Sequence, residues 1–194
     1  MPLPEDSGES VSMSDEVYEP SEDTLLLLRA VEGLGKRFKR AVEIGSGSGL
    51  ISARLGELSE EVHAVDISLN AIRRTRDLLK RSGVWGRAHP LCGDLLTAYR
   101  SSKLFDLIVS NPPYLEPEVG DRAVEGGWRL VDRLVEDASK RIERGGVLLI
   151  VVSSLTSNLE SILEKLRREG FSIKVVDKAK LFFEELSAVK CVKE

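Results

Sequence analysis

Strand-length apolar segments alternate with amphipathic helical segments along most of this chain, and this alternation constrains the fold more than any other feature. Runs such as Ala41–Ile44 and Phe105–Ser110 have the length and composition of buried strands. Helical periodicity follows in segments such as Leu69–Arg81. We therefore predict an α/β fold with a mainly parallel central sheet and helices on both faces. The closing strands, Phe171–Val176 and Leu186–Val192, have no clear helix between them, which predicts an antiparallel pair.

The length and the sequence pattern together predict one folded domain. A chain of 194 residues has the usual size of a single domain, and no linker long enough to divide it is present. We expect this domain to cover residues 17–194. Residues 1–16 are rich in Ser, Glu, Asp and Pro, so we expect them to form a flexible tail.

Composition excludes several classes of protein. The net charge is −4, whereas general nucleic-acid binders are usually basic, so a nucleic-acid substrate is disfavoured. No apolar run approaches the roughly 18 residues of a membrane span. Cys92 and Cys191 make no metal cluster or disulfide framework, so we expect both to be buried and reduced, no metal, and a cytoplasmic setting. The absence of glutamine, with abundant Glu, Lys and Arg, suggests an archaeal or thermophilic source.

A glycine-rich segment joins the first predicted strand to the helix after it. It reads Val42-Glu43-Ile44-Gly45-Ser46-Gly47-Ser48-Gly49. Glycines here allow the backbone to approach a ligand at the carboxyl ends of the strands. The Gly-x-Gly-x-Gly spacing is not that of dinucleotide-binding loops, and no Gly-Lys-Ser/Thr follows, which excludes a phosphate-binding loop. Because Glu43 is a poor neighbour for an anion, the segment indicates a cationic ligand with an amino-acid tail; a tight turn without ligand is the alternative.

Acidic residues follow the next two predicted strands. Asp66 ends the second strand, where a carboxylate can accept both ribose hydroxyls of a nucleoside. Gly93-Asp94-Leu95 follows the third strand, so that Asp94 can accept an exocyclic amine while Leu95 covers the ring. Each position also has an ordinary structural explanation. Asp66 can be a surface or helix-capping residue, and Gly-Asp is a common turn pair.

The segment Ser110-Asn111-Pro112-Pro113-Tyr114 directly follows a buried strand and is the most specific feature of the sequence. Two prolines fix the backbone and remove two donors, which leaves nearby carbonyl groups free to accept hydrogen bonds. The Asn111 carboxamide oxygen and a neighbouring backbone carbonyl oxygen form a pair of acceptors for one planar NH2 group; a proline-bearing turn without ligand is the alternative. Tyr114 offers an aromatic face on which that group can pack.

These motifs resemble S-adenosylmethionine-dependent methyltransferases of the seven-stranded, Rossmann-like class. Asn-Pro-Pro-Tyr is the signature of enzymes that methylate planar nitrogens. The chain is most similar to the HemK (PrmC) group of glutamine methyltransferases. Tyr18-Glu19-Pro20-Ser21-Glu22-Asp23-Thr24 resembles the entry motif of its short archaeal and eukaryotic branch. The resemblance covers residues 17–194 and implies the strand order 3-2-1-4-5-7-6.

The resemblance also implies roles for individual residues. It assigns the methionine end of S-adenosylmethionine to Glu43, Gly45 and Gly47, the ribose to Asp66, and the adenine to Asp94 and Leu95. Thr24 is expected to close over the cofactor, with Tyr18 nearby. Asn111, Pro112, Pro113 and Tyr114 are expected to bind the acceptor nitrogen, with Asn111 also beside the cofactor. After Gly126-Gly127 the sequence is shorter than the family pattern, on the acceptor side.

The function implied by this resemblance is N5-methylation of a protein glutamine, most simply in the Gly-Gly-Gln motif of a class I peptide-chain release factor. The alternatives are methylation of an adenine or guanine amine in RNA or DNA, protein lysine methylation, and a cofactor-binding scaffold without catalysis. The resemblance further implies a small zinc-binding activator protein, which would pair with the edge strand near Ala88–Leu91.

Overall fold

The computed structural model describes residues 20–113, 127–156 and 158–194. These residues form seven strands and five α-helices, together with a single 3-10 turn at Trp85–Arg87. In chain order the α-helices and strands are α1 (Glu22–Glu32), β1 (Phe38–Ile44), α2 (Leu50–Leu58), β2 (Ser59–Asp66), α3 (Leu69–Arg81), β3 (Ala88–Cys92), β4 (Phe105–Ser110), α4 (Gly127–Arg141), β5 (Ile142–Ser153), α5 (Leu159–Arg168), β6 (Phe171–Lys180) and β7 (Glu185–Lys193).

The strands form one sheet in the order β3-β2-β1-β4-β5-β7-β6, as predicted. The pairs from β3 through β5 are parallel, whereas β7 is antiparallel to both β5 and β6. The strand order reverses at β1, because β2 and β3 lie on one side of β1 and the next strand in the chain, β4, lies on its other side. Ligands of open α/β sheets bind at such a reversal, at the carboxyl ends of the strands.

Helices cover both faces of the sheet, which explains why the central strands are continuously apolar. Side chains of β5 alternate between two clusters: Leu149 packs with residues of α1, α2 and α3, and Leu148 with residues of α4 and α5. The same alternation holds in β4, where Leu107 and Ile108 lie in opposite clusters. The core therefore has two layers, and it fixes the carboxyl ends of β1, β2 and β4 relative to one another.

Several predicted boundaries change in the structure. Apolar spacing from Glu22 onward predicts a first helix to about Phe38, but the helix ends at Glu32, because Gly35 adopts a left-handed conformation with φ of 62° and redirects the chain. Phe38 instead begins β1 and is buried. Strand β6 extends four residues beyond the predicted end, to Lys180. The four added residues are mostly charged, so they show no apolar pattern that would predict a strand. Their backbone nevertheless pairs with β7.

One predicted burial is wrong. Cys92 is exposed, because it is the last residue of the edge strand β3, which among the described strands pairs with β2 alone, whereas Cys191 on β7 is buried as expected. Both thiols are free. The predicted tail, residues 1–16, lies outside the described residues. Among the helices that are described, none combines the length and the apolar character needed to cross a bilayer.

Candidate functional site

The glycine-rich loop after β1 lies against the end of β2. The backbone N–H groups of Gly45 and Ser46 both donate to the Val65 carbonyl, at 2.8 and 3.1 Å. The next amide, that of Gly47, donates to Asp66 Oδ2 at 2.9 Å. The loop thus leaves the sheet, bends around the end of the neighbouring strand, and enters α2.

Left-handed glycines allow this path. Gly45, Gly47 and Gly49 have φ values of 77°, 48° and 84°. A Cβ atom on Gly45 would meet nothing within 4 Å, so the space above this residue is open. A Cβ atom on Gly49 would lie 2.7 Å from Thr75 Cα, so the loop also packs tightly against α3. The loop is open on one side and closed on the other, as a ligand cradle requires.

Glu43 is a buried carboxyl group directly below this loop. Only 4% of the residue is exposed, and its carboxylate accepts a hydrogen bond from Ser52 Oγ on α2. Burial raises the pKa of Glu43 to about 8, and the nearby Asp66 charge adds to the rise, although the Ser52 hydrogen bonds oppose it. The carboxyl group is therefore largely protonated at neutral pH, and a cation brought next to it would favour its charged form.

Asp66 organises the turn after β2. In addition to the Gly47 contact, its Oδ1 accepts the Ser68 backbone N–H at 2.8 Å. Ser68 in turn caps α3, because its side-chain oxygen accepts the Ala71 amide. Asp66 is half-buried, and its carboxylate keeps acceptor capacity beyond these two bonds because each oxygen has two lone pairs.

The loop after β3 contains Asp94 and Leu95. Arg133 on α4 forms an ion pair and hydrogen bond with Asp94 Oδ2, and both side chains remain partly exposed. Leu95 has φ of 48°, unusual for a residue with a side chain, and is 8% exposed within the cluster that includes Ile44 and Val65. The structure therefore brings Asp94 and Leu95 to the same edge of the sheet as the loop after β1.

Asn111 follows β4 at this same edge. Ser110, the last residue of β4, donates from Oγ to the Ile44 carbonyl at 2.8 Å, which ties the ends of β4 and β1 together. Asn111 Oδ1 is buried, and no described residue donates a hydrogen bond to it. Pro112 is buried and Pro113 is exposed. A buried carboxamide oxygen without a donor is costly, which makes this atom a candidate ligand-binding group.

The places of Thr24, Tyr18 and Tyr114 at the site stay predictions. Thr24 is buried in the first turn of α1, and its amide and hydroxyl both bond to Asp23 Oδ1, at 2.6 and 3.4 Å. Its closure over the cofactor stays a prediction. Tyr18 and Tyr114 lie outside the described residues.

Sequence reasoning missed the residues that hold the site residues in place. These include Ser52 beneath Glu43, Arg133 beside Asp94, and Ser110 between β4 and β1. A polar residue on the buried face of a predicted helix is a usable signal for Ser52. The Arg133 contact joins segments 39 residues apart, so nothing local in the sequence indicates it.

Comparison with known proteins identifies the family. The model of the methyltransferase small domain matches residues 19–183, most of the chain. The chain belongs to the methyltransferase small domain family. A relative from Methanocaldococcus jannaschii, named putative protein N5-glutamine methyltransferase MJ0928, is 31% identical over 193 residues, covering 94% of each chain. Ribosomal RNA small subunit methyltransferase C from Alcanivorax borkumensis is 33% identical, over 68% of this chain but only 38% of that protein.

A solved structure confirms the fold of this methyltransferase small domain. The E. cuniculi Mtq2-Trm112 complex, described as responsible for methylation of the eRF1 translation termination factor, contains a chain that matches with a TM-score of 0.72. The match is 24% identical and covers 92% of this chain and 99% of that chain. The predicted family, Rossmann-like sheet and methyltransferase class are therefore confirmed.

Proposed function

We propose that this methyltransferase transfers a methyl group from S-adenosylmethionine to the side-chain nitrogen of a protein glutamine, in the Gly-Gly-Gln motif of a class I release factor. The protein acceptor is supported by the relative named N5-glutamine methyltransferase, which matches along nearly the whole chain. The release factor is supported by the Asn-Pro-Pro-Tyr and Tyr-x-Pro-x-Glu-Asp-Thr motifs. We also propose that residues 17–194 act as one domain in the cytoplasm.

The observation that carries this proposal is the buried Asn111 Oδ1, to which no residue of the described ranges donates a hydrogen bond. It lies at the carboxyl end of β4, where ligands of such sheets bind. The glutamine side chain ends in a planar NH2 group with two hydrogens. One hydrogen satisfies Asn111 Oδ1, and the Pro112 carbonyl accepts the other. A bound acceptor therefore removes the free-energy cost of burying Asn111 Oδ1 without a hydrogen-bond donor from the described residues.

The residues of the loops after β1, β2 and β3 fit S-adenosylmethionine. Glu43 supplies a carboxylate for the positively charged methionine end, and the open space at Gly45 admits it. Asp66 accepts the ribose hydroxyls. Asp94 accepts the adenine amine, and Leu95 borders the ring. Gly47 and Thr24, with Tyr18 nearby, complete the proposed binding residues.

Residues of this chain then direct the acceptor nitrogen. When bound, S-adenosylmethionine supplies an electrophilic methyl group on a sulfonium. Hydrogen bonds to Asn111 and Pro112 hold the amide plane so that its nitrogen faces that methyl group, within about 3–3.5 Å. The two oxygen dipoles stabilise the positive charge that develops on nitrogen. Pro113 keeps this backbone rigid, and Tyr114 packs on the amide plane. As the nitrogen–carbon bond forms, the bond from the methyl group to sulfur breaks, and the methylated nitrogen passes its extra proton to water, so no positioned general base is invoked.

One alternative is supported by a specific observation. Adenine and guanine also carry planar NH2 groups, and one relative is named for ribosomal RNA methylation. The net charge of −4 disfavours a nucleic-acid acceptor because phosphate binding needs cationic side chains. A lysine amine is tetrahedral and must first lose a proton, so two fixed oxygen acceptors suit it poorly.

We propose that a small activator protein pairs with the free edge of β3. This strand ends the sheet, so its outer backbone groups are available to another strand. Trp85, next to β3, is 42% exposed and adds apolar surface to this edge. In the E. cuniculi complex the matching chain is bound to Trm112. We further propose that this activator protein binds zinc.

Radiolabelled methyl transfer tests the function. The enzyme is offered a purified class I release factor and structured ribosomal RNA in parallel, with and without a candidate activator. We expect label on the release factor, which disappears when the glutamine of its Gly-Gly-Gln motif is replaced by alanine. Label on RNA alone would overturn the acceptor and leave the methyltransferase assignment intact.

A further inference from the structure

Two adjacent phenylalanines occupy the turn between β6 and β7. Phe182 and Phe183 are 92% and 84% exposed, and their rings meet edge to face with centroids 4.6 Å apart. Together they present roughly 300–400 Å² of aromatic surface. Turns between antiparallel strands usually hold Gly, Asn, Asp or Ser, so forming the turn does not require these residues. Paired exposed aromatic side chains of this kind mark interaction surfaces.

Hydrogen bonds hold this turn in a fixed position. The Leu181 amide donates to the Glu184 carbonyl at 2.8 Å, which closes the turn around the two phenylalanines. Ser153 Oγ at the end of β5 donates to the Glu184 carboxylate at 2.5 Å. Ser154 and Glu185 exchange two further bonds, from each backbone amide to an oxygen of the other residue, at 2.9 and 3.0 Å. The aromatic pair is therefore presented on a rigid support.

The strand register gives the position of the pair relative to Asn111. Ser110 lies opposite Ile150, so Asn111 is level with Val151, whose partner on β7 is Ala188. Phe183 precedes Ala188 by five residues. It therefore extends about 17 Å beyond the level of Asn111, and it lies two strand spacings, or about 10 Å, to the side. The pair cannot touch an amide held by Asn111, but it borders the space above it.

This position distinguishes among possible partners. The hairpin lies at the opposite end of the sheet from β3, the edge proposed for the activator. It is also remote from the loops after β2 and β3 that are proposed to bind the cofactor. Under the proposed function, an acceptor protein whose glutamine reaches the end of β4 has to place part of its folded surface over this edge of the sheet, which the hairpin borders.

We propose that Phe182 and Phe183 form a docking site for the acceptor protein, outside the reach of the glutamine-bearing loop itself. This inference rests on the proposed function in taking the acceptor to be a protein. Aromatic side chains on a fixed turn supply apolar contact area at little entropic cost. The docking site contributes affinity for the intact acceptor and takes no part in the transfer step.

The test compares three proteins: the wild type, the double variant Phe182→Ser/Phe183→Ser, and the control Val175→Ser. Serine is a usual turn residue, so the double variant keeps the hairpin. Val175 is 46% exposed on β6, about 20 Å from the turn along the strand. Titration calorimetry with S-adenosylhomocysteine present gives the Kd for a purified release factor. Radiolabel transfer gives kcat at saturating release factor.

We expect the double variant to bind the release factor about tenfold or more weakly, with kcat and cofactor affinity unchanged and Val175→Ser equal to the wild type. The variant Phe182→Leu/Phe183→Leu should recover part of the affinity. An unchanged Kd in the double variant overturns the docking site, and so does an equal loss in the control. A parallel loss of cofactor affinity also overturns it, because the pair would then support the site itself.

The same data separate this inference from the proposed function. If the wild type binds the release factor through the pair but transfers no label to glutamine, the proposed function fails and the docking site stands. If glutamine is labelled and the double variant binds normally, only the docking site fails. Sedimentation of each protein tests whether a second copy of this chain binds the pair instead. A dimer that is lost in the double variant, with acceptor affinity unchanged, would assign the pair to self-association and overturn the docking site.

Discussion

The backbone N–H of Gly47 donates a hydrogen bond to Asp66 Oδ2 at 2.9 Å. This bond joins the glycine-rich loop after β1 to the carboxylate that ends β2. The same carboxylate also accepts the Ser68 amide at the start of the next turn. The two predicted cofactor-binding segments therefore form one unit, so we expect a change in Asp66 to alter the shape of the loop as well as the proposed contact with a ribose.

The substitution Asp66→Asn tests this unit. An asparagine side chain has one acceptor oxygen, so it can satisfy only one of the two amides that Asp66 now serves. We expect the Kd for S-adenosylmethionine to rise about 10- to 100-fold, from the lost contacts to ribose and loop. Titration calorimetry measures it. Asp77→Asn on the exposed surface of α3 is the matched control, and equal weakening in both variants would contradict the prediction.

The substitution Glu43→Gln should stabilise the cofactor-free protein at high pH. Because the pKa of Glu43 is raised from 4.5 to about 8 on folding, its carboxyl group binds a proton that the unfolded chain releases. Stability from this group is present below pH 4.5 and is lost as pH rises toward 8. We expect the Tm difference between Glu43→Gln and wild type to grow in favour of the variant from pH 5 to pH 8.

The same variant should bind the cofactor less tightly. A neutral amide at position 43 cannot pair with a positive charge, so we expect S-adenosylmethionine affinity to fall at pH 8 while stability rises. Calorimetry in buffers of different ionisation enthalpy should also show proton release on binding in the wild type at pH 7, and none from this position in the variant. The exposed Glu57→Gln is the control, and a wild-type titration without proton release would refute this explanation.

The substitution Arg133→Met should weaken cofactor binding through Asp94. Arg133 fixes the Asp94 carboxylate from α4, and its loss frees that side chain to rotate away from an adenine amine. Because the ion pair is partly exposed, we expect a modest change of about threefold to tenfold in Kd. Arg129→Met, at an exposed position on the same helix, is the control. An effect on kcat at saturating cofactor, rather than on Kd, would contradict the positioning role.

The substitution Gly49→Ala should destabilise the fold strongly. An added Cβ atom would lie 2.7 Å from Thr75 Cα, a backbone atom that can move only with α3, and the φ of 84° adds strain. We expect a loss of about 3 kcal/mol in the free energy of unfolding, measured with urea. Gly35→Ala is the control, since Gly35 has φ of 62° but open space around it, and it should cost about 1 kcal/mol. Equal costs would show that the Thr75 contact is relieved cheaply.

The substitution Asn111→Ala should lower kcat about 100-fold and leave cofactor binding intact. It removes the carboxamide oxygen that we propose to hold the acceptor nitrogen, and a comparable loss of one fixed polar contact costs about 100-fold in kcat. We expect the Kd for S-adenosylmethionine to stay within about threefold of wild type. Asn70→Ala on α3 is the control, and an active Asn111→Ala enzyme would exclude the proposed role.

The sequence predicted the architecture well because the architecture depends on local pattern. The run Phe105–Ser110 is strand β4 with the predicted bounds, and α3 spans Leu69–Arg81 as expected. The errors fall where pattern gives little information. β6 continues to Lys180 because its backbone pairs with β7, and that pairing is set by the strands around it rather than by the polar residues it contains.

The candidate site was predicted in part. The residues that end the strands were found from position alone, since the carboxyl ends of parallel strands converge. The protonation state of Glu43 could not be predicted from the sequence. Its raised pKa results from burial beneath a loop and from the nearby charge of Asp66. The burial of Asn111 Oδ1 with no donor among the described residues is likewise a property of the folded chain that the sequence does not indicate.

The reversal of β7 has an evolutionary consequence. In the parallel part of the sheet, most segments at the carboxyl edge lead into a helix that packs on the core, so a change in their length disturbs packing. The turn at Phe182 and Phe183 connects two strands directly and contains no buried side chain. A change in the length or in the residues of this turn leaves the packing of both core layers unaltered. If the pair docks the acceptor as proposed, changes in this turn alter the choice of acceptor and leave the residues proposed to bind the methyl donor unchanged.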